Sequence, residues 1–458
     1  MQKWIALGLL GAALIGFIAE RRLNVYDPRQ GGVTKVRVLV ASWQFSEFQD
    51  PDPDLERALQ AFEQRHPDID VDIRIMPEGN EIALMLPWRA GMTPFDLLLL
   101  VNNMTIVQNA EGGFLEPLEE RLGPELEAGL LDEFVPGYLE YCRRVDPRTG
   151  QEHLYGLPFM GEIHALNYRR DVLAREGVSE DELPETWEEF EEMCRRLRDA
   201  EQKQYGMTFD LSTNFFAQND YIPMLRAFAG TVEDENGRLD VSSAEAARAF
   251  RTLKRWYEEG LMPAGALTPY QAADDFRAKI AVLFPNWQSR GYWAIRGMED
   301  GEKHIGIGPC PGSKQVGSLL AHYVGVIPKA SPVPREAARV LLEAICFQLQ
   351  PGVAKAGKMP TIKYIYDRQH PDYRPQPAPP QIEELRELVY PGYRLPDWMM
   401  SLRPTLDKGY CVPDPIRWNR VRDIVGIEFQ KYLSEDISAE EALGGAQRQI
   451  DKLYAQAN

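Results

Sequence analysis

The sequence predicts an α/β fold of two domains, and three observations support this. The first folded residues have the pattern of a strand at 35–41, a helix at 54–65, and two strands at 69–75 and 95–101 with a short helix between them. Strands separated by helices are typical of right-handed crossovers and a largely parallel sheet. The middle of the chain is richer in helix, and 458 residues are enough for two domains of ordinary size.

Three later helices are predicted from their first residues. Each begins with a hydroxyl residue followed three positions later by glutamate, a capping box that satisfies free backbone amides. The pairs are Thr186 and Glu189, Ser242 and Glu245, and Ser438 and Glu441. Gly260 is placed to end the second helix. The aromatic residues that recur at helical spacing in these segments are expected to be core.

Residues 359–415 differ from the rest of the chain because they are dense in proline, tyrosine and tryptophan. Prolines at this density prevent long regular elements. We expect an irregular segment wrapped over one lobe, with a short helix at 381–389.

Charge and cysteine content restrict the function. The chain has 51 Lys and Arg against 69 Asp and Glu, a net charge of -18. This balance argues against a nucleic-acid partner and against adhesion to anionic lipid, because both need a basic face. The five cysteines are scattered without a CxxC pair, which excludes a zinc ribbon or thioredoxin-like site and leaves their disulfide state open.

The N-terminus has the pattern of an export signal. Residues 4–19 form a run without charged or strongly polar side chains, preceded by Lys3 and followed by Glu20. No cysteine follows the run, so a lipoprotein is not predicted, and small residues do not occupy both positions required for cleavage. We therefore favour an uncleaved anchor over a cleaved signal. Residues 1–33 are assigned to this anchor or signal and a linker.

Motifs for chemistry are weak or absent in the sequence. Residues 352–358 match the start of a phosphate-binding loop, but Met359 replaces the Ser or Thr and the preceding residues look helical. There is no HExxH, no GxSxG and no dinucleotide fingerprint, and the six histidines lack metal-ligand spacing. We expect no catalytic residue, metal or cofactor. A glycosidase carboxylate pair is defined by distance in space, so an enzyme remains an alternative.

Several segments, in order, resemble a known family. They are YGLPF at 155–159, ALNYRRDVL at 165–173, LPETWEEF at 183–190, FRAKIAV at 276–282 with PNW at 285–287, YVGVIPKAS at 323–331, and SAEEAL at 438–443. In order and spacing they are similar to the family 1 extracellular solute-binding proteins of ABC importers, which include oligosaccharide receptors. The resemblance extends from about residue 34 to the C-terminus.

This resemblance implies the type II two-lobed fold of periplasmic binding proteins, with mixed sheets flanked by helices. Hinge crossings are expected near 157–159, 283–285 and 327–330. The sequence is divided into lobe I, residues 34–158 plus 285–327, and lobe II, residues 159–284 plus 328–458. The lobes of such proteins close over a ligand by hinge motion.

Ligand-binding residues are predicted from two sources. In α/β sheets ligands bind beyond the carboxyl ends of strands, which selects Trp43, Gln44, Asn102 and Asn103 after two predicted strands. The resemblance adds five residues by position: Glu162 as a carboxylate, Trp287, Phe215 and Trp418 as aromatic platforms, and His322 near the cleft. Aromatic faces beside amides and carboxylates suit a sugar.

The sequence thus predicts a monomeric extracytoplasmic receptor that captures a sugar or oligosaccharide for ABC permease subunits. It would be tethered by residues 4–19 or released after cleavage. An exported glycan-cleaving enzyme and a ligand-sensing partner of a membrane signalling protein are the two alternatives.

Overall fold

The computed structural model describes residues 28–49, 52–76, 95–102, 105–268, 270–374, 376–390, 392–412 and 417–456. The predicted anchor at 4–19, the predicted helix between the second and third strands, and Asn103 lie outside these residues. In the part of the chain that is described, no helix is long and apolar enough to cross a membrane.

The described strands form a mixed sheet. In chain order they are β1 (Arg29–Gln30), β2 (Val33–Ala41), β3 (Ile69–Met76), β4 (Leu97–Asn102), β5 (Arg143–Val145), β6 (Glu152–Leu154), β7 (Gly156–Arg169), β8 (Tyr205–Met207), β9 (Ala281–Trp287), β10 (Ile305–Pro309) and β11 (Leu320–Val326). The main sheet has the order β1-β2-β4-β11-β7-β9-β8, with β3 beside β2 and β10 beside β7. β5 and β6 form a separate hairpin.

The helices cover both parts of this sheet. The α-helices are α1 (Ser42–Glu47), α2 (Asp54–Arg65), α3 (Thr105–Glu111), α4 (Gly123–Glu127), α5 (Pro136–Leu139), α6 (Arg170–Arg175), α7 (Trp187–Leu197), α8 (Ile222–Ala229), α9 (Ala244–Glu258), α10 (Gln271–Arg277), α11 (Gln288–Arg296), α12 (Gly301–His304), α13 (Ser313–Val316), α14 (Pro334–Arg339), α15 (Gln350–Lys355), α16 (Lys363–Asp367), α17 (Pro380–Leu388), α18 (Asp397–Leu406), α19 (Trp418–Ser434) and α20 (Ala439–Ala455). Short 3-10 helices cover Leu130–Glu133, Glu180–Glu182 and Ala264–Leu267, and π-helical turns cover Ala217–Tyr221 and Val340–Gln348.

The first predicted elements are confirmed. β2, α2, β3 and β4 occupy the predicted positions, and β2 is parallel to both β3 and β4. The rest of the main sheet is largely antiparallel, because β11 runs against β4 and β7, and β7 runs against β9 and β10. The sheet is therefore mixed.

β7 joins the two halves of the sheet. Its residues 156–163 pair with β11, whereas residues 164–168 pair with β9 and residues 165–169 pair with β10. One continuous strand of 14 residues therefore belongs to both halves.

Buried apolar side chains form two clusters. The first surrounds β2, β4 and β11, and the second contains the faces of α7, α8, α9, α19 and α20. The expected aromatic core is present in the second cluster, where Phe216 stacks on Phe429 with ring centroids 3.9 Å apart. Along β7, Ala165 belongs to the first cluster and Leu166 to the second, because alternate side chains face opposite sides.

Segments far apart in the chain contribute to each cluster. Buried side chains from Val333 to Leu406 lie in the first cluster, and those of α19 and α20 lie in the second. β9 and β10 pair with the second half of β7, whereas Ile305 and Ile307 of β10 lie in the first cluster. Hydrophobic character alone does not specify which of two cores a segment joins.

Two of the three predicted capping boxes are confirmed, at Thr186 and at Ser438. The third was assigned to the wrong serine. Ser243, not Ser242, caps α9, with its hydroxyl accepting from the amide of Ala246 at 3.1 Å. The Ser242 hydroxyl instead donates to Asp240 at 2.6 Å. Gly260 follows the end of α9 with φ of 65°, a conformation that glycine adopts without strain.

The segment rich in proline packs against the first cluster through α17 and α18, and α17 matches the helix predicted at 381–389. The residues that resemble a phosphate loop follow the helical residues Val340–Gln348 and begin inside α15, so they lack the strand such a loop needs. All five cysteines are buried and none forms a disulfide.

Candidate functional site

The carboxyl ends of strands in both halves of the sheet meet at the middle of β7. In the first half, β4 ends at Asn102, which pairs with Tyr323, and Tyr323 pairs in turn with Met160 of β7. In the second half, β9 ends at Trp287, which pairs with His164 of β7. Because ligands bind beyond the carboxyl ends of strands, the candidate site lies around residues 160–164.

A group of three charged residues lies at this junction, with Lys358 buried and the two carboxylates half-buried. Lys358 is 3% exposed, and its Nζ is 2.5 Å from Glu162 Oε1 and 3.4 Å from Glu47 Oε1. Each residue comes from a different element: Glu47 ends α1, Glu162 lies on β7, and Lys358 precedes Met359, which pairs with Gly161 of β7. The cluster has two carboxylates for one ammonium group.

The pKa values of this cluster are perturbed by burial and by its charges. Burial raises the pKa of Glu47 to about 7; Lys358 lowers it in part, and Glu162 raises it. Burial lowers the pKa of Lys358, but Glu162 and then Glu47 outweigh this and the net shift is upward. Lys358 therefore stays charged at neutral pH, whereas Glu47 exchanges its proton there.

Aromatic side chains surround Lys358. Its Nζ lies 5.7 Å from the ring centroid of Trp43 and 5.3 Å from that of Trp293. These distances are within the range of cation–π contacts. Trp43 also contacts Tyr323 edge to face, with centroids 5.1 Å apart. Trp293 keeps 43% of its surface exposed, so it offers a face to a ligand.

The row of aromatic side chains continues through Arg290. Its guanidinium lies 5.3 Å from the centroid of Trp293 and 5.8 Å from that of Tyr270. Tyr270 is 59% exposed and contacts Phe215 with ring centroids 5.0 Å apart. The side chains of Trp43, Trp293, Tyr270 and Phe215 thus form a series linked by two cations, which we call the aromatic row.

The structure brings together several of the residues predicted from the sequence. Trp43 and Glu162 both contact Lys358, and Phe215 lies at the other end of the aromatic row. Asn102 lies beside Tyr323, and its side-chain Oδ1 accepts from the amide of Thr105 at 2.9 Å at the start of α3.

The four other described residues of the prediction are buried within the protein. Gln44 Nε2 donates to Leu99 O at 3.1 Å, and the indole of Trp287 donates to Asn219 Oδ1 at 3.1 Å. The indole of Trp418 donates to Gln218 Oε1 at 3.1 Å. His322 packs against Tyr138, and burial lowers the pKa of His322 to about 3.

Five residues of this candidate site are not among those predicted from the sequence. They are Glu47, Tyr270, Arg290, Trp293 and Lys358. Lys358 is the last residue of the segment that resembles a phosphate-binding loop. The sequence does not show that it pairs with Glu162, because the two residues are 196 positions apart. Tyr270 has a φ of 66°, a backbone conformation that residues other than glycine rarely adopt. Nothing in the sequence predicts it.

This arrangement suits recognition of a polyhydroxylated ligand. Aromatic faces stack on the apolar face of a sugar ring, while carboxylate, ammonium and guanidinium groups hydrogen-bond its hydroxyls. Among the described residues, no group of His, Cys, Asp and Glu side chains could hold a metal ion.

Several proteins of known structure share this fold. MalE from Xanthomonas citri, described as a sugar-binding protein, superposes with a TM-score of 0.71 at 18% identity, covering 93% of this chain and 98% of that one. Maltose-bound MalE3 of T. maritima superposes with a TM-score of 0.69 at 24% identity, covering 92% and 99%. The architecture is therefore the predicted two-lobed fold of periplasmic binding proteins.

Curated relatives match over shorter stretches. The maltotriose-binding protein of Pyrococcus abyssi is 26% identical over 250 residues, 54% of this chain and 48% of that protein. The mannitol-binding protein of Pseudomonas aeruginosa is 27% identical over 214 residues, 45% of this chain and 46% of that protein. The chain thus spans about half the length of these relatives.

The family model described as bacterial extracellular solute-binding protein matches residues 46–345. The match covers more than half of the chain and includes Glu47, Glu162 and Trp293. The chain therefore belongs to the family of bacterial extracellular solute-binding proteins, as its sequence motifs predicted.

Proposed function

We propose that this protein is a receptor on the outer side of the cytoplasmic membrane that binds a saccharide and delivers it to an ABC importer. The observation that carries the proposal is the aromatic row beside the charged cluster, at the place where the carboxyl ends of both sheet halves meet. Relatives named for maltotriose, mannitol and galactooligosaccharide binding support the ligand class.

The proposed ligand contacts are Trp43, Glu162 and Trp293 near β7, and Tyr270 and Phe215 farther along the row. Asn102 and Asn103 would contribute amides from the end of β4. Gln44, Trp287, His322 and Trp418 support these residues from the interior through the contacts described above. We also propose that residues 4–19 anchor the chain, and that β7 and the connections after β10 and α18 link the lobes.

We propose binding without chemistry. Lys358 Nζ donates to Glu162 Oε1 at 2.5 Å, so this oxygen already accepts a hydrogen bond within the protein. The family match and the relatives named as binding proteins favour a receptor over a glycan-cleaving enzyme.

The test is calorimetric titration of the full-length protein with maltose, maltotriose, a galactooligosaccharide and mannitol. We expect at least one saccharide to bind, and Trp293→Ala to weaken that binding about five- to twelvefold, because one stacking face is worth about 1 to 1.5 kcal/mol. Tyr390→Ala is the matched control, since Tyr390 is 66% exposed and lies outside the aromatic row.

Three results would contradict the proposal. Absence of binding by all four of these ligands would refute the ligand class. Equal saccharide affinity of the Trp293→Ala and Tyr390→Ala variants would refute the proposal that Trp293 contacts the ligand. Shortened saccharides recovered after incubation would support the enzyme instead.

A further inference from the structure

Glu47 has an incomplete set of partners. Its side chain is 16% exposed, and its Oε1 lies 3.4 Å from Lys358 Nζ. Its Oε2 is buried and has no hydrogen-bond partner among the described residues. Lys358 is closer to Glu162, at 2.5 Å, so the single ammonium group serves mainly the other carboxylate.

A buried acceptor without a partner is unfavourable, and an ionised one more so. A bound proton relieves this, because a neutral carboxyl is less costly to bury. Burial is also the main reason why the pKa of Glu47 rises to about 7. Near neutral pH about half of the free molecules would thus carry a proton on Glu47.

The groups that face Glu47 come from three elements. Lys358 follows α15, Glu162 lies on β7, and Tyr323 lies on β11. Burial raises the pKa of Tyr323, with further contributions from Glu162 and Glu47, so Tyr323 stays neutral at physiological pH. The only cation among these three is Lys358, and its position decides the charge of Glu47.

We propose that Lys358 is a positioning residue for the ligand-binding carboxylate of Glu162, with Glu47 as its alternative partner, and that saccharide binding releases a proton from Glu47. This inference rests on the proposed function, because it takes Glu162 as an acceptor of saccharide hydroxyls. When hydroxyls donate to Glu162, Lys358 is no longer its main donor and moves toward Glu47. The ammonium group then stabilises the ionised form of Glu47, and the proton leaves to solvent.

The sign of the pH dependence follows from this exchange. A ligand that favours ionised Glu47 binds better when the proton is already absent, so affinity rises with pH. If the pKa of Glu47 falls by one to two pH units on binding, the association constant should increase about five- to tenfold between pH 6 and pH 8. At pH 7 about 0.4 to 0.5 protons should be released for each ligand bound.

The experiment is calorimetric titration of the full-length protein with maltotriose at pH 7, in phosphate and in Tris, whose ionisation enthalpies differ. The difference in observed heat gives the number of protons released. Glu47→Gln should bind maltotriose with no proton release and with a flat affinity profile from pH 6 to 8. Lys358→Met should lower the affinity at every pH. Glu185→Gln is the matched control, because Glu185 is exposed and pairs only with the exposed Lys314 among the described lysines and arginines.

The outcomes separate this inference from the proposed function. Binding without dependence on buffer, or with the same dependence in Glu47→Gln, would overturn the proton exchange and leave the receptor standing. Proton uptake instead of release would also overturn it. If neither maltotriose nor any other saccharide of the panel binds, the proposed function fails, and the inference fails with it.

Discussion

Replacing Lys358 by methionine should destabilise the protein strongly at pH 8 and weakly at pH 5.5. Methionine fills a similar volume but leaves the half-buried carboxylates of Glu47 and Glu162 without their shared cation. Removing one partner of a buried ion pair costs about 3 to 5 kcal/mol, because the remaining charge has lost both water and its counter-ion. We expect a loss in this range at pH 8.

The pH dependence separates this effect from simple loss of packing. The pKa of Glu47 is already raised to about 7 with Lys358 present, and it must rise further when the ammonium group is gone. At pH 5.5 the carboxyl is neutral, so about half or more of the lost free energy of unfolding should return. A packing defect would lower the free energy of unfolding by the same amount at both pH values.

Urea denaturation followed by tryptophan fluorescence measures the difference between variant and wild type at each pH. Lys314→Met is the matched control, since Lys314 pairs with Glu185 at the surface and both side chains are about half exposed. Loss of that surface ion pair should lower the free energy of unfolding by less than about 1 kcal/mol at either pH. A loss below about 1 kcal/mol for Lys358→Met at pH 8, or an equal loss at both pH values, would refute the reasoning.

Two further predictions concern buried residues near the site. Burial lowers the pKa of His322 to about 3 and that of His164 to about 4, so both imidazoles are neutral in the folded protein near neutral pH. Their contribution to the free energy of unfolding is complete above pH 6.5 and is lost as the pH falls. At pH 4.5 we expect each to have lost about 2 to 3 kcal/mol. His322→Gln should therefore flatten the decline of the urea midpoint between pH 6.5 and 4.5, and an unchanged slope would contradict this. Trp287→Ala should lower the free energy of unfolding of the ligand-free protein by about 3 to 5 kcal/mol, because Trp287 is 8% exposed and its indole donates to Asn219. If the thermal midpoint stays unchanged and saccharide affinity is lost, Trp287 is instead a ring on which the ligand stacks.

The sequence predicts correctly the helices whose start and spacing depend on residues close together in the chain. The apolar spacing of α2 and the capping boxes of α7 and α20 depend on residues within one or two turns, and all three helices begin where predicted. The start of α9 shows the limit of such signals. Ser242 and Ser243 both have the chemistry of a cap, and the choice falls to Ser243 because Asp240 accepts from the Ser242 hydroxyl.

The candidate site was predictable in part, for a similar reason. Trp43 and Glu162 are predicted because a strand end and a motif position specify them, whereas spacing alone does not distinguish Trp287 from Trp293. Trp287 ends β9 and turns its ring toward Asn219 and His164, but Trp293, on α11, turns toward Lys358. Which of two nearby indoles faces the site depends on contacts with residues far along the chain.

Contacts of α11 predict that Trp293 keeps its place during the proposed movement of the lobes. Gln288 is fully buried; its Oε1 accepts from Ile163 N of β7 at 2.7 Å, and its Nε2 donates to Gly357 O at 3.2 Å. Separating α11 from β7 or from residue 357 would leave a buried amide without partners, at about 1 to 3 kcal/mol for each group. The start of α11, β7 and the turn before Lys358 should therefore move as one unit. Trp293 and the backbone next to Lys358 then keep their relative positions, and the proposed closure would bring other parts of the aromatic row toward them.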